Sequence, residues 1–188
     1  MRIISGIFKG KKILEPKDSQ TRPLKDLTKE SIFNIIYHSK KFKISLEKSN
    51  VLDLFSGVGS FGIECLSRGA KRVFFAEKYK GVLSILKKNL ANLKFTENYE
   101  IIEKDINNKN LFLNLSPKFD IIFLDPPYKD KNLVNILINI YNYNILTNNG
   151  ILIIHRHKKE KDIFPEYFKI VEKKKYGISK IIFLTILN

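Results

Sequence analysis

The sequence carries a single cysteine, Cys65, in 188 residues. One cysteine excludes an intramolecular disulfide and the multi-cysteine zinc sites. No stretch approaches the ~20 apolar residues that span a bilayer. The start, Met1 to Gly6, runs directly into Lys9, Lys11 and Lys12, with no apolar segment of signal-peptide length. These absences lead to the expectation of a soluble, cytoplasmic chain with no membrane partner. Internal repeats are lacking, and so is low-complexity sequence beyond short lysine runs. Acid is scarce relative to base: 19 Asp and Glu stand against 34 Lys and Arg, a formal net charge of +15. Such an excess points to a polyanionic partner, most simply nucleic acid. An AT-rich genome would give the same lysine-rich bias with no function attached.

What is present fits one domain. A chain of this length buries about 70% of the surface its unfolded form exposes, and 44% hydrophobic residues supply an ordinary core. Residues 2–14 read as a small β-hairpin, with segments 2–5 and 11–14 joined by a turn from Gly6 to Gly10. Residues 16–23 are a polar connector. Asp26 or Thr28 is expected to cap a helix running to about His38, with Leu27, Ile32, Ile35 and Ile36 at helical spacing. The lysine-rich link 40–50 divides an N-terminal extension, residues 1–45, from a core, residues 46–188, within the single domain.

Beyond residue 50 strands and helices alternate. Strands are expected at 51–54, 72–76, 99–103, 119–124, 150–154, 168–175 and 181–187, and helices at 60–68, 80–93 and 131–143. This alternation predicts an α/β fold, a doubly wound and mostly parallel sheet of seven strands. The final two strands are too close in sequence for a parallel crossover, so the last is expected to be antiparallel.

The segment Val51-Leu52-Asp53-Leu54-Phe55-Ser56-Gly57-Val58-Gly59-Ser60-Phe61-Gly62 is a strand, a glycine-rich turn and a helix start. Gly57, Gly59 and Gly62 fit the G-x-G-x-x-G dinucleotide fingerprint. Glu77 lies 20 residues after Gly57, where a carboxylate can accept the hydroxyls of a ribose. The pattern implies a nucleoside-containing cofactor across the strand ends. A pyrophosphate at the helix N-terminus would be welcome in itself, but Asp53 beside the loop would repel it. S-adenosylmethionine, with an ammonium and a sulfonium, matches that charge better than a nicotinamide dinucleotide. Phe55, inside the loop, is counted with Asp53, Gly57, Gly59 and Glu77 as cofactor-binding.

Asp125-Pro126-Pro127-Tyr128 follows the apolar run 119–124. Two prolines end the strand and form a shelf at the sheet edge where open α/β sheets bind ligands. An exocyclic aromatic amine shares its lone pair with the ring and is a poor nucleophile. Asp125 and the free carbonyl of Pro126 can accept its two N–H bonds, which draws the nitrogen toward a pyramidal form and stabilises the positive charge that develops. Tyr128 stacks on the base in this reading, and Pro127 lines its path. Asp125, Pro126 and Tyr128 are therefore the expected catalytic set, and Asp125 is also expected among the cofactor-binding residues.

Together the glycine loop and the Asp-Pro-Pro-Tyr motif resemble a class I S-adenosylmethionine-dependent methyltransferase with a Rossmann-like fold. More narrowly, the chain resembles the bacterial 16S rRNA guanine-N2 methyltransferase family of the RsmD type. The narrower likeness is carried by Met1 to Gly6, Lys9-Gly10-Lys11-Lys12, Thr21-Arg22-Pro23, Lys29-Glu30, Phe33-Asn34, residues 51–70 and residues 119–128. It implies methyl transfer to the exocyclic N2 amine of a guanine in small-subunit rRNA, free or in the ribosomal particle; a monomer without a metal is expected. It maps the cofactor positions onto Asp53, Gly57, Gly59 and Glu77, and adds Asp105 at the adenine end; a cap on a following short helix is the other reading of Asp105. The rivals are an adenine-N6 methyltransferase acting on RNA or DNA, a non-catalytic RNA-binding assembly factor, and a nicotinamide oxidoreductase.

Arg2, Lys9, Lys11, Lys12, Arg22, Lys25 and Lys29 crowd the first 30 residues. Arg2, Lys9, Lys11, Lys12 and Arg22, with Pro127 and Tyr128, are the expected rRNA contacts, holding the phosphate backbone while the base is extruded. The chain departs from the family pattern after residue 154. His155-Arg156-His157 stands where such enzymes often carry a glutamate. With no adjacent carboxylate pair or cysteine these histidines are read as a basic rim rather than a metal site. Cys65 is expected to be a buried structural thiol.

Overall fold

Val51-Leu52 and Ile121-Ile122-Phe123-Leu124 are apolar at every position, the pattern of strands covered on both faces. In the computed structural model, which describes residues 1–16, 24–95, 97–127 and 130–187, these segments form the centre of a seven-stranded sheet. Its strands are β1 (Asn50–Leu54), β2 (Arg72–Ala76), β3 (Tyr99–Ile102), β4 (Phe119–Leu124), β5 (Leu146–His157), β6 (Phe168–Tyr176) and β7 (Ser179–Ile186). The order across the sheet is β3-β2-β1-β4-β5-β7-β6. Pairing is parallel from β3 through β5, and β7 runs antiparallel to both neighbours. The expected mostly parallel sheet with an antiparallel last strand is observed.

Among the described residues five α-helices cover the two faces: α1 (Asp26–His38), α2 (Ser60–Ser67), α3 (Lys80–Asn92), α4 (Asn110–Leu113) and α5 (Leu133–Asn142). On one face Ile32, Phe33, Phe61 and Leu86 pack with Val51, Val73, Phe75 and Phe123. On the other, Phe112, Leu137 and Ile140 pack with Leu52, Phe74, Ile122 and Ile154. Each such fully buried side chain contributes about 1.5–3 kcal/mol. Cys65 is buried in the first cluster, and burial pushes its thiol well above the usual range, as expected of a structural cysteine.

The extension joins the core. Ile3, Ile13, Leu24 and Phe42 sit in the same cluster as the sheet. The expected hairpin is reduced to one antiparallel bridge, Arg2 with Lys12, beside an Ile3 N–H bond to the Lys11 carbonyl of 2.9 Å. Its turn lies flat on α2: a β-carbon on Gly6, at φ +85°, would meet the Ser67 carbonyl at 1.9 Å.

Helix α1 spans the expected residues, but its buried face is Thr28, Lys29, Ile32, Phe33 and Ile36. Leu27 is 71% exposed. Residues four apart share a face, so burying 28, 32 and 36 turns 27 outward. Neither Asp26 nor Thr28 is the cap. Lys25 holds that position without a side-chain bond. Strand β5 is longer than residues 150–154 in both directions. Residues Thr147 to Gly150 are absorbed by a register irregularity where β5 passes β4 between Phe119 and Ile121.

Candidate active site

In a parallel sheet the carboxyl ends of all strands lie on one edge, and ligands bind where the strand order reverses. Here that point lies between β1 and β4. A cavity of about 740 Å³ opens there. Asp53 and Phe55 reach its wall from β1 and the loop, Glu77 from the end of β2, Asp105 from beyond β3, and Asp125, Pro126 and Pro127 from the end of β4. Gly57 also lines it. Gly59 does not contact the cavity; it is the residue before α2, at φ +86°, where a β-carbon would strike Leu86 Cδ1 at 2.5 Å. Its part is therefore to shape the loop. Phe55 holds a left-handed φ of 61°, an uncommon and strained state for a bulky residue that persists where the surroundings impose it.

The glycine loop is fixed by two carboxylates. Glu77 Oε2 accepts the Gly57 N–H at 2.9 Å, and its Oε1 accepts the N–H groups of Lys78 and Tyr79 at 2.8 Å each. Asp53 Oδ2 accepts the Gly62 N–H at 3.0 Å, in the first turn of α2. Burial pushes the Asp53 carboxyl well above the usual range, and the charges of Asp125 and Glu77 push it the same way, against the Gly62 N–H. A cation in the cavity would relieve that crowding. Asp105 is held below the usual range, chiefly by its hydrogen bond to the Lys78 ammonium at 2.9 Å. Its Oδ1 accepts the Asn107 N–H at 3.0 Å. Asp105 is thus both at the cavity and a local turn former.

Asp125 and Pro126 face the cavity. The Pro127 carbonyl accepts the Asp130 N–H at 2.8 Å, whereas among the described residues no backbone N–H bonds the Pro126 carbonyl. Tyr128 and Arg22 lie outside the described residues. Among the described residues no group of acidic, histidine or cysteine side chains has the arrangement of a metal site.

Of the expected RNA contacts, Arg2, Lys9, Lys11 and Lys12 are all exposed, with Lys11 Nζ 4.7 Å from the Phe8 ring centre. None of these four touches the cavity, but Met1, Pro16 and Leu24 of the same extension do. Lys29 is a correction. It is fully buried, with Nζ 2.7 Å from the Arg2 carbonyl and 3.3 Å from Glu64 Oε2. Burial lowers its pKa, and Glu64 partly offsets that. It serves the fold, as does Glu64, which the sequence reading passed over.

The basic rim at 155–157 is a second correction. β5 continues through these residues, so their side chains alternate between faces. His155 is 8% exposed and Arg156 4%. Arg156 Nε lies 3.0 Å from Asp162 Oδ1, and Lys180 Nζ 2.6 Å from Asp162 Oδ2. His155 lines the cavity, its Nδ1 2.8 Å from Asp125 Oδ1. Period-two extension of the strand past Ile154 was the available signal: residue 155 shares the face of 151 and 153.

A family model described as Conserved hypothetical protein 95 matches residues 1–185. The chain belongs to this family. It is 34% identical over 188 residues to YlbH of Bacillus subtilis, a protein named as a candidate rRNA methyltransferase, covering 96% of each chain. It is also 34% identical over 179 residues to ribosomal RNA small subunit methyltransferase D of Haemophilus influenzae, covering 95% of this chain and 90% of the relative. Among solved structures, a candidate methylase of Haemophilus influenzae superposes with a TM-score of 0.76 at 33% identity, over 100% of this chain and 98% of that one. The resemblance to the RsmD type is thereby borne out, and with it the methyltransferase fold and an rRNA methyltransferase as the enzyme class.

Proposed function

We propose that the chain transfers a methyl group from S-adenosylmethionine to the exocyclic N2 amine of a guanine in small-subunit rRNA, acting as a monomer on free rRNA or on the ribosomal particle. The observation that carries this reading is the shelf: Asp125 and Pro126, whose carbonyl accepts no backbone N–H among the described residues, stand on the wall of the cavity that Asp53, Glu77 and Asp105 also line. The donor set fits the cofactor. Burial raises Asp53, and the charges of Asp125 and Glu77 beside it push it the same way; a cluster of three such carboxylates suits a ligand bearing ammonium and sulfonium groups. Glu77 keeps one lone pair for a ribose hydroxyl after its three backbone bonds.

When bound, S-adenosylmethionine supplies an electrophilic methyl carbon. Asp125 and the Pro126 carbonyl accept the two amine N–H bonds and so localise the nitrogen lone pair. The positive charge that grows on the nitrogen faces the Asp125 carboxylate, which was in place before the reaction and needs no reorganisation. The proton lost afterwards passes to Asp125 or to water. The exposed lysines of the extension hold rRNA phosphates, a contact that weakens with salt.

The test is methyl transfer from labelled S-adenosylmethionine to unmodified small subunits, naked rRNA and DNA in parallel. Label in the RNA of the subunit or in naked rRNA is expected. Label confined to DNA, or no label with S-adenosylmethionine bound, would overturn the proposal.

A further inference from the structure

Asp125 is not a lone carboxylate. It follows β4, and His155 stands one residue past Ile154, the partner of Leu124 in the β4–β5 register. The two side chains therefore meet across adjacent strand ends, with Nδ1 2.8 Å from Oδ1 and side-chain exposures of 10% for His155 and 23% for Asp125. A carboxylate only accepts, so Nδ1 carries the hydrogen. His155 Nε2 is buried and has no hydrogen-bond partner among the described residues. The imidazole thus has one bond to give, and gives it to Asp125.

We infer that His155 is a positioning residue for methyl transfer: its Nδ1–H ties Asp125 Oδ1 and leaves Oδ2 for the target amine. The inference rests on the preceding reading, in which Asp125 accepts the amine N–H. It gives the departure from glutamate at this position a chemical content. A glutamate beside Asp125 would add a second negative charge and offer no hydrogen, whereas neutral histidine donates and leaves the pair at one negative charge.

That net charge is what the reaction uses. With His155 neutral the pair is anionic and opposes the charge growing on the amine. With His155 protonated the pair is neutral, and the stabilisation falls. Asp53 on β1, Glu77 beyond β2 and Asp130 beyond β4 line the same cavity and are acidic, and the Met1 ammonium on its wall is paired with Glu15. Lys78 is paired with Asp105 at the rim. Arg156 and Lys180, register partners on β5 and β7, engage Asp162 on the opposite face of the sheet. Lys29 on α1 is engaged with Glu64. Burial alone would lower the imidazole pKa, but the charge and hydrogen bond of Asp125 together outweigh it and raise it above the ordinary 6.5. The acid limb of the reaction is therefore placed above the pH of a free imidazole.

The experiment uses the full chain, S-adenosylmethionine and small subunits. kcat is measured against pH for the wild type, His155→Asn and His155→Ala. Asparagine puts an amide N–H where Nδ1–H stood and does not titrate. His155→Asn is expected to keep most of the high-pH kcat and to lose the acid limb. His155→Ala is expected to lose ~10-fold or more in kcat, the worth of a hydrogen bond to a charged group, with S-adenosylhomocysteine affinity unchanged by calorimetry. Independently of activity, the histidine ring signals of the substrate-free chain are followed by NMR, with His155→Asn identifying the peak. Its midpoint is expected above 6.5 and is expected to drop in Asp125→Asn. An acid limb that survives in His155→Asn, a midpoint indifferent to Asp125→Asn, or parallel losses of kcat and affinity in His155→Ala would each overturn the inference. A wild-type chain that methylates no RNA refutes instead the reading on which it rests.

Discussion

Replacing Glu64 with alanine strips the counter-charge from a buried lysine. Lys29 and Glu64 both have fully buried side chains (0% exposed), with 3.3 Å between Nζ and Oε2. The same carboxylate accepts the N–H of Ile4 at 2.8 Å and of Ser5 at 2.9 Å, and the Arg68 Nε–H at 2.8 Å. It is therefore the clasp that joins the N-terminal hairpin, α1 and α2. Removing one member of a buried pair costs about 3–5 kcal/mol, because the other charge is left uncompensated. Two details fix where in that range the loss falls. Lys29 retains the Arg2 carbonyl at 2.7 Å, and burial already lowers its pKa, so it can shed its proton. Against this, the Ile4 and Ser5 N–H groups lose their acceptor. A loss near ~3 kcal/mol follows, a large part of the ~5–15 kcal/mol that holds a domain together. At ~2–4 °C per kcal/mol for a chain of this size, the melting temperature drops by roughly 6–12 °C. Urea unfolding followed by circular dichroism gives the free energy directly, with Glu64→Gln falling between the wild type and Glu64→Ala because its amide oxygen still accepts. A loss below ~1 kcal/mol for Glu64→Ala would show that Glu64 does not hold a buried Lys29 charge in place.

Three further outcomes are expected. Glu77→Ala weakens S-adenosylhomocysteine binding by about 1.5–3 kcal/mol, roughly 10–150-fold, in isothermal calorimetry; unchanged affinity would remove Glu77 from the cofactor site. Asp125→Ala abolishes methyl transfer while calorimetry still detects S-adenosylhomocysteine, and loss of binding as well would sink its assigned role. Because the folded-state pKa of His155 is raised, its contribution to stability is fully present below pH ~6.5 and fades as pH rises through the folded value. The stability advantage of the wild type over His155→Asn is thus larger at pH ~5.5 than at pH ~8.5 by urea unfolding, and an advantage that grows with pH would contradict the pairing.

Much of the fold was legible because each signal was local. Apolar runs at 51–54 and 119–124 can only be strands buried on both faces, and strand–helix alternation dictates their parallel pairing. The shared position of Gly57, Glu77 and Asp125 was legible for the same reason: each follows or ends a strand of one parallel sheet, and all three line the cavity at its carboxyl edge. What escaped was set by contacts distant in sequence. Lys29 reads as one more surface lysine until Glu64, 35 positions away, is brought beneath it. Leu27 reads as core until the burial of Thr28, Ile32 and Ile36 turns it to solvent. His155 and Arg156 read as a basic rim because the sequence does not show where β5 stops. Only the register with β4 and β7 reveals that one side chain enters the cavity and the next leaves it. The hairpin failed as a pair of strands because its turn is pinned on α2 rather than free to extend a ladder.

Activation of a guanine amine by the Asp125–Pro126 shelf is read out by mass-spectrometric identification of the methylated nucleoside, from small subunits incubated with the chain and labelled S-adenosylmethionine. N2-methylguanosine is expected in the wild-type digest and none with Asp125→Ala. N6-methyladenosine in its place, or N2-methylguanosine undiminished in the Asp125→Ala digest, would contradict it.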